Sequence, residues 1–312
     1  MHGCHITVLV VICWRARYNK YMNVIKADTL GYCMGVRRAV ESAEVALKEY
    51  KDKKVYSLGP LIHNQSALDE LAGQGLNIIQ EEDLEALDSD SVVIIRAHGV
   101  RPSVKDFLEQ KKAVVIDATC PRVTVSQNRV REFSRQGYTV FLAGDKGHAE
   151  VEGIKGFCES DFYCIENLSE AQSVLSSATF KKVMLLCQTT FSKVEFEKIS
   201  EYFSHLFKND DGTDKIPFVI INTICPATKQ RQEALEKLCS KVDAIIVVGG
   251  KKSANTVRLY ESAKKIAKKA VHIESADEIP ESFFALKTVG VTAGASTPDS
   301  VIDEVVDRLY RA

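Results

Sequence analysis

The chain has 312 residues, 45% of them hydrophobic and 27% charged, with neither Gly nor Pro in excess. This is ordinary for a globular protein of two or three small domains. A formal net charge of -1 leaves no global field for gathering nucleic acid or docking on an anionic membrane, so an anionic ligand must be held by a local pocket. The longest apolar run, Ile6–Trp14, falls short of the ~20 residues that cross a bilayer.

That run lies in residues 1–21, ahead of a second methionine, Met22. Arg15 and Arg17 follow the apolar stretch, whereas a secretory signal carries its positive charge first. The segment is expected to be an appendage outside the fold. His2, Cys4 and His5 resemble a metal site, but four adjacent residues converge poorly on one ion. The nine cysteines of the chain show no close pairing of the zinc-ribbon or secreted-disulfide kind. They suit a reducing cytoplasm, where most would be small buried hydrophobes.

From Asn23 onward the chain alternates strand and helix signals. An amphipathic stretch at Arg37–Glu49 is followed by β-branched runs at Val92–Ile95 and Val114–Ile116. Further runs lie at Tyr138–Leu142, Val183–Leu186, Phe218–Ile221 and Ala244–Val248, with another amphipathic stretch at Arg231–Leu238. Most runs end in Gly, Thr, His or Cys at a turn into a helix, the pattern of parallel sheets flanked by helices. Cys120 aligns with Cys225 inside similar segments, and His148 aligns with Ser253, both at an offset of 105 residues. A constant offset across two motifs marks a duplicated unit.

A more diverged copy opens the series. It supplies Cys33, His63 and His98; the second supplies Cys120, His148 and Thr189; the third supplies Cys225, Ser253 and Ser296. All lie at strand-to-helix turns, where open α/β sheets bind ligands. The predicted architecture is therefore α/β, a trefoil of three pseudo-threefold-related units around one cavity. The units are expected at 22–120, 121–221 and 222–312, with the C-terminal end returning toward the first.

Each of the three cysteines precedes a helix, and Pro121 and Pro226 follow two of them at a position favoured for Pro. The helix dipole is expected to lower such thiol pKa values, and thiolates bind soft metals. Three thiols without a fourth leave one site open on a [4Fe–4S] cluster, whereas structural zinc wants four ligands. His63, His98, His148, Ser253, Asn255 and Ser296 can donate to an anion, with Asn255 and Ser296 or Thr297 at predicted helix starts. Glu150 lies two residues after His148 and fits a proton donor or relay, with Glu152 as its neighbour and competitor.

In order along the chain stand GYCMGVRRAV, GPLIHN, RAHGV, DATCP, GHAEVEG, QTT, NTICPAT, GGKKSANTVRL and VTAGASTPD. With these motifs the sequence, from about Asn23 to its end, resembles the LytB family of 4-hydroxy-3-methylbut-2-enyl diphosphate reductases. The resemblance implies one [4Fe–4S] cluster with three ligands, Cys33, Cys120 and Cys225, and one open iron. It implies that His63, His98, His148, Ser253, Asn255 and Ser296 hold a diphosphate. Glu150 and Thr189 would meet the substrate hydroxyl and deliver protons. The implied reaction is a reductive dehydration of an allylic diphosphate to isopentenyl and dimethylallyl diphosphate, the last step of the non-mevalonate isoprenoid pathway. Electrons would come from a reduced ferredoxin or flavodoxin.

Two positions depart from the family pattern. Ala254 stands where a second serine is common, and Cys187 stands where Thr is common before QTT. Cys187 closes an apolar strand, so core packing is expected of it rather than ligation. Two other readings compete. A redox-neutral [4Fe–4S] hydro-lyase would need no external electrons, and a zinc-stabilised phosphate-binding module would carry no iron.

Overall fold

The computed structural model describes residues 22–209 and 211–311. The anticipated appendage at 1–21, with its histidine and cysteine cluster, lies outside the described residues. In chain order the elements are β1 (Asn23–Lys26), α1 (Met34–Glu49), β2 (Lys54–Leu58), α2 (Gln65–Gly73), β3 (Asn77–Ile79), β4 (Ser91–Ile95), α3 (Pro102–Gln110) and β5 (Val114–Asp117). The second stretch contains α4 (Pro121–Arg135), β6 (Thr139–Ala143), α5 (Ala149–Lys155), β7 (Phe162–Ile165), α6 (Leu168–Ser177), β8 (Val183–Cys187), α7 (Lys193–Phe207) and β9 (Phe218–Ile221). The third contains α8 (Pro226–Cys239), β10 (Ala244–Val248), α9 (Ala254–Ile266), β11 (Ala270–Ile273), β12 (Thr288–Ala293) and α10 (Asp299–Arg311).

The strands form three four-stranded parallel sheets of one design, ordered β3-β2-β4-β5, β7-β6-β8-β9 and β11-β10-β12-β1. The inner strands β4, β8 and β10 are buried along their whole length, which is why they read as unbroken apolar runs: helices cover both faces. Within β4, Val92 and Ile94 enter one core while Val93 and Ile95 enter the core on the other face. Full burial of each such side chain contributes about 1.5–3 kcal/mol. The same division separates Phe141 from Leu142 in β6, and Ile246 from Ile245 in β10.

The unit boundaries read from the sequence need one correction. β1 precedes the first sheet in the chain, yet it pairs in parallel with β12, Asn23 against Thr288 through Lys26 against Val291. This pairing packs Val24 and Ile25 against the two cores of the third sheet. The third unit is therefore completed by the start of the described chain. The C-terminal α10 packs on β1 and β12, pairing Asp303 with Lys26, and reaches α1 through Asp299 and Arg37.

Candidate functional site

The fourth strand of every sheet hands the chain to a cysteine that caps a helix: β1 leads to Cys33 and α1, β5 to Cys120 and α4, β9 to Cys225 and α8. Each cysteine backbone is tied to the last polar loop of the preceding unit. Cys120 N–H donates to Ala97 O beside His98 (2.9 Å), Cys225 N–H to Thr189 O (2.8 Å), and Cys33 N–H to Ala295 O beside Ser296 (3.0 Å). These equivalent bonds bring the three thiols to one cavity from three helix N-termini. Gly35 makes the approach possible, because a Cβ there would stand 2.7 Å from Cys120 Sγ.

All eleven residues singled out in the sequence line this cavity: Cys33, Cys120, Cys225, His63, His98, His148, Ser253, Asn255, Ser296, Glu150 and Thr189. Glu152 does not line it, which separates it from Glu150. Cys187 is also elsewhere, fully buried in the core of the second unit. Its thiol is pushed up to about 11 by that burial.

At Cys120 the structure departs from one expectation. Burial raises the Cys120 pKa, and hydrogen bonds from the backbone N–H groups of Arg122 and Val123 offset this only in part. The helix terminus alone does not outweigh desolvation at that cysteine; a metal in the site would have to supply the difference.

The three histidine rings cluster with centroids 5.1–6.5 Å apart, and their nitrogens approach within 4.8 Å of one another. Burial lowers all three pKa values, His98 well below its ordinary range and His148 to about 4. They are neutral at pH 7. Such a trio could bind a cation, but His148 argues otherwise. It caps α5, and its Nδ1 accepts from Glu150 N–H at 3.1 Å, so the proton of the neutral ring is on Nε2 and that nitrogen is a donor. A donor suits an anion. The buried Nδ1 of His98 and Nδ2 of Asn255 have no protein partner. Ser253 caps α9, and Ser296 Oγ lies 3.4 Å from both Ser253 Oγ and His63 O.

Glu150 is 2% exposed. Its carboxyl accepts from Thr189 N–H at 2.6 Å and from Thr189 Oγ1 at 2.7 Å. Burial raises its pKa to about 7 against the pull of those two bonds. Thr189 O in turn accepts from Cys225 N–H, so one residue joins the acid to a cysteine turn. Sequence reasoning passed over Thr228, Thr190 and Arg231, which also line the cavity. Arg231 sits on the inward face of a helix whose pattern reads simply as amphipathic, so nothing in the spacing distinguishes it from a surface arginine.

The donor set fits a soft metal centre on one wall and an anion on the other. The profile of the family described as LytB protein matches residues 24–310. The 4-hydroxy-3-methylbut-2-enyl diphosphate reductase of Treponema denticola is 42% identical over 295 residues, covering 92% of this chain and 99% of its own. The enzyme of the same name from Caldanaerobacter subterraneus subsp. tengcongensis is 41% identical over 291 residues, covering 92% and 96%. A solved structure of (E)-4-hydroxy-3-methyl-but-2-enyl diphosphate reductase, the terminal enzyme of the non-mevalonate pathway, superposes with a TM-score of 0.70 at 37% identity, over 93% of this chain and 100% of that one. The E-1-hydroxy-2-methyl-but-2-enyl-4-diphosphate reductase structure from Plasmodium falciparum gives 0.80 at 28% identity, over 92% and 87%. With a family match spanning its three sheets and full-length relatives at this identity, the chain belongs to the LytB family.

Proposed function

We infer that this chain catalyses the reductive dehydration of (E)-4-hydroxy-3-methylbut-2-enyl diphosphate to isopentenyl and dimethylallyl diphosphate, closing the non-mevalonate isoprenoid pathway. The observation that carries this reading is the convergence of three cysteine-capped helices, three neutral histidines and one protonatable carboxyl on a single cavity in a LytB-family chain. The reaction takes up two electrons and two protons. The C–O bond of the allylic alcohol breaks, the hydroxyl leaves as water, and one proton ends on carbon. Cys33, Cys120 and Cys225 are the ligands for a [4Fe–4S] cluster with one open iron, and a reduced ferredoxin or flavodoxin supplies the electrons. When bound, such a cluster supplies one-electron transfer and a Lewis-acidic iron.

The protein does the rest by binding and proton placement. His63, His98 and His148 donate to the diphosphate together with Ser253, Asn255 and Ser296. The free N–H groups at the start of α9 add to this field. Neutral histidines give hydrogen bonds without a fixed charge, so the dianionic ends of substrate and product are held by geometry and released without breaking ion pairs. The Leu61, Ile62 and Val123 side chains on the cavity wall keep bulk water from the allylic carbons. Glu150 holds the proton destined for the departing hydroxyl, and Thr189 keeps that carboxyl oriented through both of its oxygens.

The test is anaerobic purification with iron and sulfide analysis, followed by turnover of the allylic diphosphate with a chemical reductant. About four irons per chain and reductant-dependent product are expected. Product without reductant would point to a hydro-lyase instead, and a colourless zinc protein would reject both iron readings. Glu150→Gln is expected to keep its iron and bind substrate while losing most turnover.

A further inference from the structure

Among the described residues only two charged side chains are buried, Glu150 and Arg231. Glu150 can escape the cost by taking up a proton, its pKa being raised by burial to about 7. Arg231 cannot, since a guanidinium stays charged in a protein. It is 3% exposed, and no carboxylate among the described residues pairs with it. A buried cation without a counter-charge is strongly unfavourable, so something in the working protein must balance it.

Its surroundings say what. Arg231 lines the central cavity from α8, the helix that Cys225 caps. Nη2 donates to Gly31 O at 2.5 Å, two residues before Cys33, and Nη1 to Ala227 O at 3.1 Å, two residues after Cys225. The fork therefore spans the turns that carry two of the three thiols. Nε, also buried, has no partner. Burial disfavours the charged guanidinium, and the thiols of Cys33 and Cys225, when ionised, are the groups that favour it.

We propose that Arg231 is the counter-charge of the iron–sulfur site, a positioning residue that ties the Cys33 and Cys225 turns together and favours the state of the centre carrying an added electron. The inference rests on the cluster reading given above. Three thiolates outweigh the charge of the oxidised core, and each electron makes the site more negative. A fixed positive charge in a cavity shielded from water stabilises the reduced state more than the oxidised one. The fork also fixes the spacing of two ligands, so its loss loosens iron retention.

The experiment compares the anaerobic holoprotein with Arg231→Met and Arg231→Lys. It measures the midpoint potential by EPR-monitored redox titration without substrate, and the rate of iron loss to a chelator. Arg231→Met is expected to titrate at a lower potential and lose iron faster. Arg231→Lys, which keeps the charge but not the fork, is expected to titrate close to wild type while still losing iron faster. A purely structural arginine would give equal potentials in all three proteins, and that result overturns the proposal. If Arg231→Met takes up no cluster, Arg231→Lys decides by itself: a wild-type potential supports the counter-charge, and a clear fall overturns it. A wild-type chain that binds no iron overturns the functional reading and this inference with it, an outcome distinct from a potential indifferent to residue 231.

Discussion

Glu150 shows how one carboxyl is kept protonated near neutrality. Burial dominates, and the two hydrogen bonds from Thr189, which favour the carboxylate, return its pKa only to about 7. Turnover is therefore expected to decline on the alkaline side of about pH 7, and a pH–rate profile of kcat checks this. The same shift has a consequence for stability. The folded value lies above the ordinary 4.5, so the folded state binds the proton more tightly. The stabilising contribution is complete below about 4.5 and is lost as pH rises through about 7. Urea melts of the anaerobic holoprotein at pH 5 and pH 8 should show Glu150→Gln gaining on wild type at the higher pH. The difference between the two proteins is the informative quantity. The histidines, with lowered values, drive the opposite trend in both. Equal differences at the two pH values would mean that Glu150 titrates as an ordinary exposed carboxyl. Ala254, at the first position of α9 and on the cavity wall, offers a second test. Ala254→Ser restores one hydroxyl donor, worth about 0.5–1.5 kcal/mol. Calorimetry with inorganic diphosphate is expected to show binding about two- to tenfold tighter. No change would mean that the backbone N–H groups of α9 already satisfy that oxygen.

Helices α1, α4 and α8 converge because their first turns are kept small or rigid at the point of contact. Pro121 and Pro226 preset the backbone behind two cysteines. The first helix instead has Gly35, whose missing Cβ leaves room for Cys120. Gly35→Ala sets two effects against each other. Alanine in place of glycine favours a helix by about 0.8–1 kcal/mol, but its methyl would meet Cys120 Sγ at 2.7 Å and Cβ at 3.0 Å. The first contact is closer than side chains tolerate and the second is tight, so the thiol has to move. The expected result is a helix signal by circular dichroism that is unchanged or slightly stronger, with a clear loss of iron per chain. Full iron retention would show that Cys120 yields without leaving its post. The central strands β4, β6, β8 and β10 were legible in the sequence because burial on both faces leaves them mostly apolar, whereas the equally central β2 (KVYSL) and β12 (TVGVTA) carry polar residues or Gly and passed unread. The three-residue β3 and the half-buried β7 and β11 carry too little pattern to stand out. The cavity was legible for a different reason: a repeat places equivalent residues at equivalent turns, whatever the exact element bounds. α8 starts at Pro226, the position its proline marked in the sequence, and Cys225 before it lines the cavity. Arg231 escaped notice because burial of a charge depends on what surrounds a helix face, and linear spacing does not record it.

The three sheets surround one cavity, and the start of the described chain completes the last of them. Two units are built from consecutive strands, while the third borrows β1 as its fourth strand. Sequence order hides this, since β1 lies next to the first unit in the chain and against the third in space. The borrowing gives Cys33 the same placement as Cys120 and Cys225, each following the fourth strand of a sheet. It also brings the two ends of the described chain together, with Tyr310 Oη of α10 lying 3.5 Å from Val24 O. A circular permutant tests whether the pairing of β1 with β12 matters more than the order of the chain. In it, residue 311 is joined to residue 22 through about ten Gly and Ser residues, a flexible connection. The new termini are placed in the exposed turn at Gly212, where a Cβ would meet nothing and few contacts are lost. The third unit then becomes contiguous, β1 following β12 through α10 and the linker, while the break moves to the second sheet, whose β9 now opens the chain. The permutant is expected to fold and to bind iron at the parent's stoichiometry, because every strand pair and every cysteine-to-loop hydrogen bond is kept. Replacing Ile25 by Asp in the original chain puts a charge among the Leu235 and Leu238 side chains of the same core. That variant is expected to lose iron together with stability, because β1 both completes the third sheet and leads to Cys33. A permutant that folds but binds no iron would mean that Cys33 is placed by what precedes it in the natural chain, not by the sheet that β1 completes.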